Sequence, residues 1–419
     1  MGSNLVDATR PFRVLVLGGS YAGLSAALNL HDLCLNRHPR CGNKSDDPLE
    51  TVASEIETRA DITIVDERDG FYHTIGSPLA LASESYAEKA WVEYKNISAL
   101  QMPNIRLIQG SVRGLNTSSK IASVATHNST EELQLEYDYL VAATGLRRAW
   151  PVVPQSLRRK QYLFEVGDHL RNVQDAKLGV VVVGGGAVGI EMATELKLIQ
   201  PHTEVTLVHS RDKLLSAEPL PDEVKDKALE LVREANVHVL MSHRLEAVHE
   251  VKTENQSKCF ELRFNNAHVM RASEVIMAIS KSVPATTYIP QSALDMEGYV
   301  KIHPNLSFSG DIPNSSEHFA IGDLAKWSGI KRCGSAMHMG YLAAVNINQL
   351  FRQRLSGSVP EFVTLDEIQP MIGLAIGKQA VSYWPEGGIS SGEDVMEAFF
   401  GKDLGFTICW NYLQLGLKA

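Results

Sequence analysis

The chain has 419 residues, 44% of them hydrophobic and 21% charged, enough for two or three domains with their own cores. Its formal net charge of -9 is spread along the sequence with no dense Lys/Arg run, which argues against a nucleic-acid surface. No apolar stretch is long enough to span a bilayer: the longest, Leu178 to Ile190, is broken by glycines.

The start Met1-Gly2-Ser3-Asn4-Leu5-Val6 resembles a myristoylation signal but has Val6 where Ser or Thr is required, so a plain start is expected. No signal-peptide core follows. The cysteines Cys34, Cys41, Cys259, Cys333 and Cys409 are irregularly spaced and contain no C-x-x-C, which suggests reduced thiols and a cytoplasmic location.

Arg13 to Leu17 reads as a buried parallel strand, and Leu24, Ala27 and Leu28 recur at helical spacing. Between them, Gly18-Gly19-Ser20-Tyr21-Ala22-Gly23 forms the turn of a strand-turn-helix unit. Such a turn lets a pyrophosphate approach bare backbone and aims helix amides at it, so Gly18, Gly19, Ser20, Ala22 and Gly23 are candidate dinucleotide contacts. Ser20 stands where the pattern G-x-G-x-x-G has its middle glycine.

Asn36 to Ala60 is polar and aperiodic, an inserted surface excursion. Asp61 to Glu67 then reads as a second parallel strand, with Asp66 either a ligand of ribose hydroxyls or a solvated strand end. Phe71 to Pro78 follows at the carboxyl edge of the sheet, where His73 either faces a ligand or packs as a structural residue. Ile105 to Val124 and Leu133 to Tyr137 predict a hairpin or small meander. Tyr139 to Gly145 predicts a buried strand ending in the Thr144-Gly145 turn.

After a linker marked by Pro151 and Pro154 the opening pattern returns. Leu178 to Glu191 contains a complete glycine motif at Gly184, Gly186 and Gly189, which is a strong dinucleotide signal. Its second strand, Glu204 to Val208, ends at His209-Ser210-Arg211 instead of an acid. An acid there would repel a 2′-phosphate, whereas these residues tolerate or bind one. The pattern therefore favours NADPH, or dual use with NADH, although Arg211 is equally readable as a solvated loop charge. Asp222 to Asn236 predicts a charged amphipathic helix, Phe260 to Val269 part of a second meander, and Val275 to Ser280 a closing strand.

Phe319 to Leu324 is a short buried strand ending in Gly322-Asp323. Gly334 to Leu350 then predicts a helix with Met339, Leu342, Ala343 and Ile347 inward. An acid beside a helix amino terminus suits ribityl or ribose hydroxyls. His338, near the start of that helix, is a candidate site residue or a packing residue. From Glu361 the aromatics concentrate, as in a small domain packing its own core, a dimer surface, a substrate wall or a membrane-facing patch.

Two dinucleotide units with the second inserted in the first, followed by Gly-Asp and a helix, resemble the two-dinucleotide-binding-domain flavoproteins. The closer resemblance is to their apoptosis-inducing-factor-like and ferroptosis-suppressor-like group, and the more distant one to type II NADH:quinone dehydrogenases. Gly18 to Gly23, Phe71-Tyr72-His73, Ala143 to Gly145, Gly184 to Glu195, Val208 to Ser210 and Ile321 to Asp323 carry it. It implies an α/β fold with two Rossmann-like domains and a small α+β carboxyl-terminal region. FAD-binding residues 10–150 and 286–360 would enclose an NAD(P)H-binding domain at 151–285, with the last domain at 361–419.

By the same resemblance Gly18 to Gly23, Asp66, Thr144, Gly145, Gly322 and Asp323 hold FAD, and Gly184 to Gly189 with His209 hold NADPH or NADH. Glu191 lies near the nicotinamide. Ser280 replaces a glycine expected after the closing strand. Disulfide reductases of this superfamily keep a cysteine pair shortly after the first glycine loop. Here Cys34 and Cys41 fall at a helix end and in the insertion, so no redox disulfide is expected. The implied reaction passes a hydride from NAD(P)H to FAD and electrons onward to a quinone-like or other small organic acceptor. A tailoring oxidoreductase of small-molecule biosynthesis and a redox-sensing flavoprotein acting through protein binding are the alternatives. Homodimer formation and peripheral membrane contact stay open.

Overall fold

A computed structural model describes residues 10–41, 56–126, 129–252, 258–279 and 282–417. The Met1 to Val6 start, most of the polar insertion and Ser280 lie outside the described residues.

The first parallel strand, β1 (Phe12–Leu17), is almost wholly buried and feeds α1 (Tyr21–Cys34) through the first glycine loop. β2 (Ala60–Asp66) pairs parallel with β1 on one side, Val14 opposite Ile62. β3 (Ile105–Asn116), β4 (Ile121–Thr126) and β5 (Leu133–Glu136) follow, and β6 (Tyr139–Ala142) pairs parallel with β1 on its other side. Ile105 to Val124 is therefore more than a hairpin. β3 is a parallel neighbour of β2 from Ile105 to Gln109, pairs antiparallel with β4 from Gly110, and passes a register shift between Val112 and Gly114 within that second pairing. One long strand serves both pairings, and the irregularity bends its antiparallel part.

The chain then leaves this sheet. Leu146–Arg147 pairs antiparallel with Val283–Pro284, so the outgoing and returning segments run side by side. Between them lie α2 (Arg159–Gln174), β7 (Val180–Val183), α3 (Ala187–Ile199), β8 (Val205–Val208), α4 (Asp222–Glu234), β9 (His238–Leu240) and β10 (Glu274–Met277). These strands make a second parallel sheet in the order β9-β8-β7-β10. An antiparallel three-stranded meander over Leu245–Glu250, Phe260–Phe264 and Val269–Ala272 packs beside it.

On return, β11 (His318–Ala320) pairs parallel with β6 and completes the first sheet in the order β11-β6-β1-β2-β3-β4-β5. The next helix, α5 (Cys333–Ser356), runs longer than the predicted Gly334 to Leu350. Met339, Leu342, Ala343 and Ile347 all point inward, and the helix stops at Gly357 with φ 76°. Gly357 supplies the left-handed residue that ends helices.

Every residue of α1 is buried, because the first sheet covers one face and α5 the other. At Gly340 a Cβ would lie 2.5 Å from the Ala22 carbonyl, so only glycine permits this close crossing. Two polar residues of α1 have partners close in sequence. Asn29 Nδ2 donates to the Ser25 carbonyl at 2.7 Å, and Asp32 accepts from Arg40 Nε at 2.7 Å.

The carboxyl-terminal region forms an antiparallel sheet of β12 (Ile372–Ile376), β13 (Gln379–Trp384) and β14 (Gly388–Gly392), then α6 (Glu393–Phe399) and α7 (Phe406–Tyr412). Leu374, Ala375 and Ile376 are buried, and β12 packs on α3. The aromatics divide: Phe400 and Phe406 are buried, whereas Phe399, Tyr412 and Trp384 are exposed. No described helix is long and apolar enough to cross a membrane.

Candidate functional site

The two glycine loops have the same local geometry. Gly18 and Gly184 both take left-handed φ, 107° and 128°. A Cβ at Gly23 would lie 1.8 Å from the Gly18 carbonyl, and one at Gly189 would lie 1.8 Å from the Gly184 carbonyl. Each last glycine thus lets its helix start against the end of its strand. The first amides of α1 and α3 have no helical acceptor behind them, so each loop presents donors at a helix amino terminus.

Ser20 fits the same plan. Its counterpart in the second loop, Gly186, has φ -81° and no atom within 4 Å of where a Cβ would stand, while Ser20 itself is extended at φ -102°. A side chain meets no protein atom at this point of the second loop.

The strand ends hold the loops. Asp66 Oδ2 accepts from the Gly19 amide at 2.6 Å and Oδ1 from the Arg68 amide at 2.8 Å. In the second unit His209 Nδ1 accepts from the Gly185 amide at 3.1 Å. Its Nε2 lies 2.9 Å from Ser216 Oγ, so the proton sits on Nε2 and is donated to the serine. Burial raises the Asp66 carboxyl above its ordinary value against the nearby Arg68 charge, and burial lowers His209. Arg211 stands exposed beside them, its Nη1 donating to the Ser216 carbonyl at 3.2 Å.

A third component converges on the first loop. Because β11, β6, β1 and β2 are parallel, their carboxyl ends, with Asp66, Thr144 and Asp323, lie along one sheet edge, where open α/β sheets bind ligands. Gly322 adopts φ 74°, and a Cβ there would come within 3.1 Å of the Ala22 Cβ, which brings the Gly322-Asp323 turn onto the start of α1. No described residue donates a hydrogen bond to the Asp323 side chain. Burial raises its pKa, opposed by the charges of Arg148 and Lys331. Thr144 Oγ1 is committed inside the protein, donating to the Ala285 carbonyl at 2.8 Å, while Gly145 keeps a left-handed φ of 66° with open space around it.

The three residues expected to be catalytic have different surroundings. His73 is fully buried. Its Nε2 donates to the Leu404 carbonyl at 2.9 Å, and its Nδ1 accepts from the Tyr21 hydroxyl at 3.1 Å. With both nitrogens engaged and burial pushing its pKa down to about 4, His73 stays neutral and ties the glycine loop to the carboxyl-terminal region. That placement makes it a tether, not the catalytic group expected from its position in the sequence. His338 is exposed on α5, its ring centroid 6.1 Å from that of Tyr341.

Glu191 is buried against β12, where the Ala375 amide lies 3.4 Å from its Oε1. Burial pushes its pKa up to about 8, and the neighbouring Glu195 adds to the shift. Glu195 is likewise pushed up to about 8 by burial, and its Oε1 has no hydrogen-bond partner among the described residues. Sequence reasoning gave Glu195 no site role, although its spacing of one helical turn from Glu191 was the available signal. It also passed over Arg148 and Lys331, which only the folded chain brings near Asp323.

The chain belongs to the pyridine nucleotide-disulphide oxidoreductase family, whose profile matches residues 12–340. It is 48% identical to oxidoreductase OXR1 of Ajellomyces capsulatus over 414 residues, covering 98% of this chain and 89% of that protein. It is 26% identical to ferroptosis suppressor protein 1 of Mus musculus over 357 residues, covering 84% and 85%. Among solved structures, NDH2 of Plasmodium falciparum in complex with NADH superposes with a TM-score of 0.65 at 14% identity, covering 97% of this chain and 98% of that one. The chain is an oxidoreductase of the two-domain α/β type, and FAD with NADH or NADPH are the cofactors of this group.

Proposed function

We propose that this pyridine nucleotide-disulphide oxidoreductase oxidises NAD(P)H and passes the electrons, through bound FAD, to a small organic acceptor of the quinone type. The observation that carries this reading is the duplication of one glycine-loop geometry in a chain whose return strand adds Asp323 to the first loop alone. Two dinucleotides are then held at chemically different places.

The first loop fits FAD. Gly18 and Gly23 leave the backbone bare where a pyrophosphate approaches, and the Asp323 carboxylate, free of donors among the described residues, suits the hydroxyls of a ribityl chain. Residues 10–150 and 286–360 form this part of the molecule. Bound there, FAD supplies a redox centre that accepts a hydride and releases electrons singly or in pairs. The second loop, within 151–285, fits the nicotinamide nucleotide. His209 carries no negative charge against a 2′-phosphate, and exposed Arg211 adds a positive one, which favours NADPH. Glu191, protonated at neutral pH by burial, serves near the nicotinamide as a hydrogen-bonding acid and not as a charge.

The test is an anaerobic titration of the purified protein, following the flavin absorbance band. NADPH should bleach the band, and a benzoquinone-type acceptor should restore it. A protein that carries flavin but is bleached by neither NADPH nor NADH removes this reading.

A further inference from the structure

The end of α3 meets the carboxyl-terminal region around a cavity of about 330 Å³, at the small end of the range for ligand pockets. Glu195 forms part of its wall. The residue is only 2% exposed, and its Oε1 is buried with no hydrogen-bond partner among the described residues. A buried carboxyl oxygen left unpaired costs free energy, which a donor entering from the cavity would recover. The neighbouring Tyr86 hydroxyl does not supply that donor, because it donates to the Asp403 carbonyl at 2.7 Å.

The rest of the lining narrows the chemistry of a ligand. Leu79, Met396 and Leu404 give the cavity apolar walls, which suit a hydrocarbon stem. Leu198 and Ile199, exposed at the end of α3, continue those walls to the surface. Exposed Glu393 and Glu397, one turn apart on α6, line the same cavity, as do exposed Lys378 and Lys402. Three carboxyl groups against two ammonium groups leave an acidic excess, and the buried carboxyl is the unpaired one. An anion would set its charge against Glu195. A metal ion is also a poor match, because among the described residues no group of three His, Cys, Asp or Glu side chains could hold one.

We propose that this cavity binds linear aliphatic amines, with the ammonium head on Glu195 and the alkyl stem along Leu79, Met396 and Leu404. A charge-assisted bond from an ammonium group is stronger than a neutral one, and its three donors turn freely to meet a carboxyl oxygen. In the empty cavity burial pushes the Glu195 pKa up to about 8, so the group is mostly protonated at pH 7. An ammonium ion beside it favours the carboxylate, so binding releases the Glu195 proton to solvent.

The other ionisable groups around Glu195 are Glu191 on the same helix, Tyr86, and the exposed Glu393, Glu397, Lys378 and Lys402. Water and salt screen the four exposed groups. Glu191 is pushed up to about 8 as well, so between pH 6 and pH 7 it stays mostly protonated and Glu195 sets the pH dependence of binding. The amine itself keeps its charge there, since alkylammonium groups titrate near the lysine value of about 10.4. The site uses neither glycine loop, so it holds or fails separately from the proposed activity.

The experiment is isothermal titration calorimetry of the full-length protein with n-hexylamine, 1-hexanol and hexanoate. At pH 7 n-hexylamine should bind at least about tenfold more tightly than 1-hexanol, and hexanoate should not bind. Between pH 6 and pH 7 the affinity for n-hexylamine should rise by up to about tenfold. Titrations in two buffers of different ionisation enthalpy should show close to one proton released for each amine bound. Glu195→Gln keeps the shape but cannot ionise, so it should bind amine and alcohol alike and release no proton. Met396→Trp fills the cavity and should weaken both ligands, with circular dichroism checking that each variant is folded. If a variant does not fold, the wild-type pH profile and proton count decide. Wild-type protein that binds the amine no more tightly than the alcohol, or binds it with no pH dependence and no proton release, overturns the proposal. So does a folded Glu195→Gln variant that keeps the preference for the amine.

Discussion

Asp66 and His209 perform the same task in the two halves of the molecule. Each ends the second strand of its unit and accepts the backbone amide of the second glycine in its loop, Gly19 at 2.6 Å and Gly185 at 3.1 Å. The acceptor is a carboxyl group in one unit and a neutral imidazole in the other, so the loop geometry is kept while the local charge differs.

His209→Asp should preserve the bond to Gly185, since aspartate makes that bond at Asp66, while placing negative charge where a 2′-phosphate would lie. We expect the NADPH/NADH ratio of kcat/KM to fall by about tenfold, the equivalent of about 1.4 kcal/mol. Steady-state kinetics with both nucleotides measures it. An unchanged ratio would remove His209 from nucleotide selection.

The loop geometry predicts opposite tolerances at two neighbouring positions. Ser20→Gly should leave flavin content and melting temperature close to wild type, because no protein atom lies within 4 Å of where a Cβ would stand at the equivalent Gly186. Gly23→Ala should abolish flavin retention, since its methyl would sit 1.8 Å from the Gly18 carbonyl. Absorbance spectra of the two purified variants distinguish these outcomes, and normal flavin content in Gly23→Ala would contradict the close helix start.

Asp323→Ala should weaken FAD binding at least about tenfold, because a carboxylate hydrogen-bonded to ligand hydroxyls is worth roughly 1.5–3 kcal/mol. Flavin fluorescence during dialysis reports the loss. A retained flavin would show that the Gly322-Asp323 turn serves only the packing of α1 against α5.

Acidification should destabilise the protein through His73. Its folded-state pKa of about 4 lies below the ordinary 6.5, so the unfolded chain binds the proton more readily. The stabilisation is complete above pH 6.5 and is lost as pH falls towards 4, by up to about 3 kcal/mol at 1.36 kcal/mol per pH unit. Thermal denaturation across this range should show a shallower slope for His73→Asn than for wild type. Equal slopes would mean that protonation of His73 does not matter to folding.

Much of the fold was legible in the chain because its signals are local. Buried strands such as Val180–Val183, the glycines at Gly184 and Gly189, and the helical spacing of Leu24, Ala27 and Leu28 are read within a dozen or so residues. The hairpin expected at Ile105 to Val124 was incomplete for the converse reason. Whether Ile105 pairs with Ile62 or with a later strand depends on a partner distant in sequence, and apolar alternation looks the same in both cases.

The sequence by itself determined that there are two strand-loop-helix units, that one ends in Asp66 and the other in His209, and that Gly322-Asp323 follows both. Tertiary structure decided what those residues meet. It buried His73 between Tyr21 and Leu404, left His338 exposed, and set Arg148 and Lys331 near Asp323. The division has one physical cause. Strand, turn and helix are favoured by neighbours along the chain, whereas hydrogen-bond partners, burial and pKa shifts depend on groups that only the packed fold brings within reach.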